Sequence, residues 1–152
     1  LQSSRVLTPE GGVRTFSQAE HRFGYRSSFF KENPGYVLLS SRLLLQPGSR
    51  AEIEEKMAGF AAQRRDKQPL QYPSAGSAYK RPEGRFAGQL IEQCGLKGFQ
   101  TGGARVSDKH AGFIVNMGGA TAGDVLRLME HIEQTVLAQT GVALEREIRV
   151  LA

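Results

Sequence analysis

The side chains best suited to chemistry gather in one stretch, Pro73-Ser74-Ala75-Gly76-Ser77-Ala78-Tyr79-Lys80-Arg81-Pro82. Proline and glycine punctuate it, so it is a poor helix and a poor strand, and its composition predicts a loop. Ser77 follows Gly76, whose missing side chain lets a ligand come close to the backbone. A serine hydroxyl is a weak acid. Held in place, it can still give a proton to a strongly basic carbanion or enolate, with Lys80, Arg81 or a water chain assisting. An ordinary polar turn rich in serine has the same spacing.

Other groups invite a similar double reading. Arg26 lies in Phe23-Gly24-Tyr25-Arg26-Ser27-Ser28-Phe29-Phe30-Lys31, where aromatic residues flank it on both sides. Such a guanidinium can hold a carboxylate through two parallel hydrogen bonds, or simply stack on a ring at the surface. Lys67, with Arg64 and Arg65, forms a basic cluster that suits a diphosphate and equally suits the C-terminal end of a helix dipole. Glu147 shares one side of an alternating segment with Glu145 and Arg149, which also describes a solvated strand face. His110 is either a substrate contact or a structural loop histidine. Thr101-Gly102-Gly103-Ala104 lacks the strand-to-helix context of a dinucleotide fingerprint, which excludes a Rossmann reading.

These residues need elements to hold them. Arg5-Val6-Leu7 and Val13-Arg14-Thr15-Phe16 flank a turn containing Gly11 and Gly12, a hairpin pattern that is marginal alone and must pack on something else. Residues 36–45 read as a strand. Ser49 and Glu52 have capping-box spacing, and Ile53, Met57, Phe60 and Ala61 follow at helical intervals, which predicts a helix over 49–65. A short helix over 85–94 carries Phe86, Leu90 and Ile91 on one face, with Gly95 beyond it. Strand segments follow at 98–107 and 113–116. A capped helix begins at Thr121 and stops at Gly141, and a closing strand spans 145–151. The order predicts an α+β fold, a mostly antiparallel sheet with helices packed on one face.

Composition narrows the function classes. The 152 residues are 39% hydrophobic and 23% charged, a globular balance with no run of apolar residues long enough to span a membrane. Cys94 is the only cysteine, which excludes an internal disulfide and fits a reducing cytoplasm. His21, His110 and His131 are scattered without ligand spacing, so no metal is expected. No signal peptide is visible, and the first residue is not methionine, which points to a piece of a longer chain. The net charge of +5 favours an anionic partner.

Taken in order, the Tyr25–Lys31 segment, Lys67-Gln68-Pro69, the Ser77 loop, Ala87-Gly88-Gln89-Leu90-Ile91-Glu92, Gly95-Leu96-Lys97-Gly98, Lys109-His110-Ala111-Gly112-Phe113-Ile114-Val115-Asn116 and Leu144-Glu145-Arg146-Glu147-Ile148 resemble the C-terminal portion of the UDP-N-acetylenolpyruvoylglucosamine reductases, also called UDP-N-acetylmuramate dehydrogenases. The resemblance implies a flavoenzyme of cytoplasmic peptidoglycan precursor synthesis, using FAD and NADPH. Its substrate would be UDP-N-acetylglucosamine enolpyruvate and its product UDP-N-acetylmuramate. It maps the family's proton-donating serine onto Ser77, its active-site arginine onto Arg26 and its catalytic glutamate onto Glu147. Lys67 corresponds to the lysine that meets the diphosphate. Tyr25, Gly76, Lys80, Arg81 and His110 fall in its substrate-binding segments.

The match has a gap, because the family's N-terminal FAD-binding region has no counterpart in this sequence. Residues 1–35 then read as a remnant of that region, and 36–152 as the UDP-sugar-binding domain with a returning tail strand. Cofactor-binding residues stay unassigned, the missing FAD-binding region becomes a candidate partner, and this chain alone is expected to be inactive. The competing reading is a non-catalytic basic module for nucleotides or nucleic acid. The interleaved aromatics and cations of a single-strand binder occur only within 23–31, which weighs against nucleic acid.

Overall fold

Period-two alternation builds the first sheet. In the computed structural model, which describes residues 1–150, Ser3–Leu7 (β1) turns Ser4 and Val6 inward and Arg5 outward. Val13–Ser17 (β2) pairs antiparallel with it across a tight turn, where Thr8 N–H donates to Gly12 O at 2.8 Å. The strand expected over 36–45 forms at Val37–Arg42 (β3) and pairs antiparallel with β1, giving the order β2-β1-β3. The hairpin therefore finds the support its size requires.

One face of this sheet is covered by a short 3-10 helix, Ala19–His21, and one helical turn, Phe29–Glu32 (α1). Phe16 is 2% exposed and meets Phe29 edge-on at 5.0 Å between centroids; Phe29 meets Tyr36 at 4.9 Å. Edge-to-face rings of this kind add to the gain from burial. Polar groups buried beside them are satisfied in a chain. His21 contacts Ser17 O through Nδ1 at 2.8 Å and Ser4 Oγ through Nε2 at 3.0 Å, and Ser4 bonds Ser41 Oγ at 3.0 Å. All three strands are thereby tied together, and buried polar atoms keep their partners.

Contacts divide the chain into two compact units, Leu1–Glu52 and a second from Ile53 onward, so the division falls inside the long helix Arg50–Lys67 (α2). The helix forms where its periodicity predicted it, two residues longer at its end. Its apolar residues do not behave as core: Ile53, Met57 and Phe60 are 47%, 65% and 65% exposed, and no side chain of α2 is buried.

The second unit holds a four-stranded antiparallel sheet in the order β4-β7-β6-β5, made of Ser74–Ser77 (β4), Gln100–Thr101 (β5), Ala104–Val106 (β6) and Phe113–Asn116 (β7). Ala87–Gln93 (α3) and Ala122–Thr140 (α4) supply the rest of its core. Leu90 and Ile91 meet Leu128, Met129, Ile132 and Val136 over Ala104, Val106 and Ile114. The α+β reading, helices on one face of an antiparallel sheet, describes this unit, with α2 standing outside the core.

Helix α4 starts with the capping box that its sequence predicts: Asp124 N–H donates to Thr121 Oγ1 at 3.1 Å and Thr121 N–H to Asp124 Oδ2 at 2.9 Å. Gly141 closes it at φ +71°, a left-handed C-terminal residue. Phe86, expected on the buried face of α3, instead precedes that helix and is 50% exposed. The tail forms one isolated bridge, Tyr79 to Arg146, where a continuous strand was expected; Leu151 lies outside the described residues. Among the described residues, no helix is long and apolar enough to cross a membrane.

Candidate active site

Ser77 sits on a strand, contrary to the loop predicted from its prolines and glycine. Pro73 stops just short of β4, and its carbonyl accepts from Asn116 N–H at 2.8 Å. Ser74 pairs with Val115 and Ser77 with Phe113, with a register shift between them. Gly76 absorbs that shift at φ +86°, a conformation that costs a residue with a side chain roughly 1–2 kcal/mol. An edge strand broken by a glycine bulge is a common way to re-aim a side chain. The Ser77 side chain is exposed, and its hydroxyl donates a long bond to Tyr79 O at 3.2 Å.

The tail returns to the same strand. Lys80 N–H donates to Glu145 O at 2.8 Å, and Glu147 N–H donates to Ala78 O at 2.9 Å, either side of the Tyr79–Arg146 bridge. Glu147 is thus paired with the residue directly after Ser77, and its side chain is half-buried. Lys80 also forms an ion pair with Glu145.

A clamp beneath the bridge fixes this pairing. Tyr79 is 2% exposed and its hydroxyl donates to Met129 O of α4 at 3.0 Å. Arg146 binds Glu133 of α4 through both Nε and Nη2, the latter at 2.8 Å. Burial pushes the Tyr79 phenol well above its usual range, and the nearby Glu133 carboxylate pushes it further. Hydrogen bonding to Glu133 raises the Arg146 guanidinium. Both groups therefore keep one protonation state, Tyr79 neutral and Arg146 charged, and the clamp is a fixed anchor.

His110 reaches this neighbourhood through β7. Phe113, the partner of Ser77, donates its N–H to His110 O at 3.0 Å, and Ala78 N–H donates to Gly112 O at 2.8 Å. Gly112 N–H donates to His110 Nδ1 at 3.1 Å, which places the proton of a neutral ring on Nε2. A Cβ on Gly88 would stand 3.1 Å from His110 Cε1 and from Gly112 N, so glycine there lets α3 approach the ring. Arg81 stacks over Phe86 at 4.0 Å from the ring centroid, which explains why Phe86 stays outside the core.

Sequence spacing did not single out Lys109, Glu133 or Arg146. Lys109 Nζ donates to Arg65 O, tying the basic end of α2, with Arg64, Arg65 and Lys67, to the turn that carries His110. A cation there also suits the helix dipole. The only available signal for Lys109 was its adjacency to His110. Arg146 had only its adjacency to Glu147, and Glu133 had none, because their pairing joins a helix to the tail beyond it. Beside this turn, Gln71, Tyr72, Arg105, Ser107, Asp108 and Lys109, with Val115 and Met117, line a cavity of about 160 Å³.

The pairing brings Gly76, Ser77, Lys80 and Glu147 together, with Arg81 and His110 on adjoining segments and Lys67 on the last turn of α2. Tyr25 and Arg26 belong to the first unit. There Gly24 and Ser27 exchange backbone bonds of 3.0 and 3.2 Å around them, and Arg26 adopts φ +53°. Its guanidinium lies 5.9 Å from the Tyr25 ring centroid, and Lys31 Nζ donates to its carbonyl at 3.2 Å. A left-handed arginine is uncommon and stores local strain of the kind found at functional sites.

Comparison with known proteins bears on this arrangement. The family model described as "UDP-N-acetylenolpyruvoylglucosamine reductase, C-terminal domain" matches residues 68–151. The UDP-N-acetylenolpyruvoylglucosamine reductase of Streptococcus suis strain 05ZYH33 is 50% identical over 151 residues, covering 99% of this chain and 50% of the relative. That of Lachnoclostridium phytofermentans is 46% identical, covering 99% and 48%. The crystal structure of the reductase from Thermus caldophilus superimposes with a TM-score of 0.82 at 37% identity, covering 99% of this chain and 53% of that one. The chain spans about half the length of the curated relatives it matches.

Proposed function

The chain belongs to the UDP-N-acetylenolpyruvoylglucosamine reductase family through that family's C-terminal domain, and from this premise we propose that it is the substrate-binding and proton-donating part of such a reductase. The reaction would convert UDP-N-acetylglucosamine enolpyruvate to UDP-N-acetylmuramate in peptidoglycan precursor synthesis. The first unit would be a remnant of the flavin side, extending past the boundary expected at residue 35 because β3 pairs with β1, and the second unit would be the UDP-sugar side with its returning tail.

The family is FAD- and NADPH-dependent, and reduced FAD, when bound, supplies the hydride. The second unit's donor set, a hydroxyl, carboxylates and cations, fits an anionic substrate and a proton path. Nothing in that set offers a flavin ring a platform, and no residue of this chain is assigned to FAD.

The chain's own residues take the remaining tasks. Hydride addition to the enolpyruvyl double bond leaves negative charge on the neighbouring carbon and its carboxylate. Arg26 stabilises that enolate by charge-assisted hydrogen bonds. Ser77 delivers the proton to the electron-rich carbon. Glu147 acts through a proton, or by orienting a cation or water, because a bare carboxylate would repel the enolate. Lys67 holds the diphosphate. Tyr25, Gly76, Lys80, Arg81 and His110 contact substrate.

The observation that supports this most is the Tyr79–Arg146 bridge, which pairs the Ser77 strand with the Glu147 tail. Calorimetric titration with UDP-N-acetylenolpyruvoylglucosamine tests it. Saturable heat is expected, weakened about tenfold by Lys67→Ala through loss of a charge-assisted bond. Heat unchanged by that substitution would remove Lys67 from the diphosphate. Absence of binding would defeat the substrate-domain reading.

A further inference from the structure

The outer face of the first sheet carries a polar cup that the proposed chemistry does not use. Pairing sets Arg5 between Thr15 on β2 and Ser40 on β3, and sets Ser3 beside Arg42. All five share the face opposite Val6 and Phe16. Arg5 and Arg42 are therefore diagonal neighbours, roughly 7–8 Å apart at the backbone, within reach of one small ligand. A register shift between Arg5 and Val6 bends the strand pair at this point. The result is a cavity of about 380 Å³ lined by these five residues, by Ser4 and Ser41 between them, and by no carboxylate.

The charges in this cup are unbalanced. Among the described residues, neither Arg5 nor Arg42 has an ion-pair partner, whereas Arg14 on the opposite face pairs with Glu20 at 3.3 Å. Like charges on neighbouring strands repel. A bound oxyanion would relieve that repulsion and accept from the hydroxyls at the same time, and a guanidinium pair matches the oxygens of a tetrahedral anion.

We propose that this cup is a binding site for a phosphate group, held by Arg5 and Arg42 with Ser3, Thr15 and Ser40 donating. It is independent of the site around Ser77.

Calorimetric titration of the full chain with inorganic phosphate, against chloride at equal ionic strength, tests the site. A parallel titration with adenosine monophosphate separates free phosphate from a phosphomonoester. One saturable event is expected, weakened about tenfold by Arg5→Gln and again by Arg42→Gln. Arg14→Gln removes the same charge from the other face and leaves binding unchanged. Circular dichroism of each variant verifies its fold. Arginine-dependent binding of either titrant supports the site, and the tighter one names the ligand's source. No saturable heat with either titrant, or equal weakening by Arg14→Gln, overturns the proposal.

Discussion

Glu133→Gln should loosen the strand pairing that carries Ser77 and Glu147 while leaving the rest of the second unit intact. The wild-type carboxylate receives both Arg146 Nε and Nη2, with the two side chains 25% and 36% exposed. A fully exposed ion pair contributes about 0–1 kcal/mol, and breaking a fully buried one costs about 3–5 kcal/mol. This pair lies between those limits, and screening of its open side puts the loss near 1–2 kcal/mol. The loss should appear where Arg146 acts, as easier local opening of the Tyr79–Arg146 bridge. Amide hydrogen exchange reads that directly. The N–H groups of Lys80 and Glu147, which bond Glu145 O and Ala78 O, should exchange about 5–30-fold faster. Amides in the middle of α4 should be unaffected. Glu92→Gln, which breaks the exposed pair with Lys97, serves as control and should change neither amide. Unchanged protection at Lys80 and Glu147 would show that the clamp does not hold the tail. Uniform acceleration along α4 would show that Glu133 supports the helix instead.

Further expectations follow from single residues. Gly76→Ala should cost roughly 1–2 kcal/mol in denaturant unfolding; a Cβ there meets nothing within 4 Å, so the loss is purely conformational, and equal stability would refute the strained φ of +86°. The Asp124 carboxyl is held below its usual range, first by the Thr121 backbone N–H and then by the Thr121 hydroxyl. Because the folded value is depressed, its contribution is present above the unfolded carboxylate value and is lost as pH falls through the folded one. Wild type should therefore lose an increment of stability below about pH 4 that Asp124→Asn never has, and parallel pH–stability curves would contradict this. Met57→Glu with Phe60→Glu should change unfolding by no more than about 0.5 kcal/mol, because α2 buries neither side chain, while reducing any self-association seen by light scattering.

How much of this was legible in the sequence depended on how local each determinant is. The cap at Thr121 and the glycine stop at Gly141 are satisfied within one helix, and each predicted what formed. Helix α2 shows the limit of periodicity. Ile53, Met57 and Phe60 predict the helix correctly, but periodicity reports a preference for burial and cannot name the surface that provides it. Phe86 fails for a related reason, since Arg81 offers its ring a partner at 4.0 Å outside the core.

The Ser77 segment shows why a site can be misread locally and still be recognised. Proline and glycine argued for a loop, and locally that argument is sound. It lost because β7 offers Ser74 and Ser77 a ladder on which Pro73 needs no N–H and Gly76 can hold a positive φ between the paired residues. The strand's other partner is the tail, which meets it in a single bridge far too short to appear as a strand signal. That bridge is stabilised from below by Tyr79, Arg146 and Glu133, residues with no motif in common and wide separation in sequence. Ser77 and Glu147 could therefore be named from their own segments, but their pairing could not. If their chemistry depends on that pairing, substitutions at Glu133 or Arg146 should impair a complete reductase without touching its substrate, and through Glu147 more than through Lys67. Turnover should then fall while the affinity for UDP-N-acetylenolpyruvoylglucosamine holds, whereas a loss confined to affinity would place the clamp's influence on substrate binding instead.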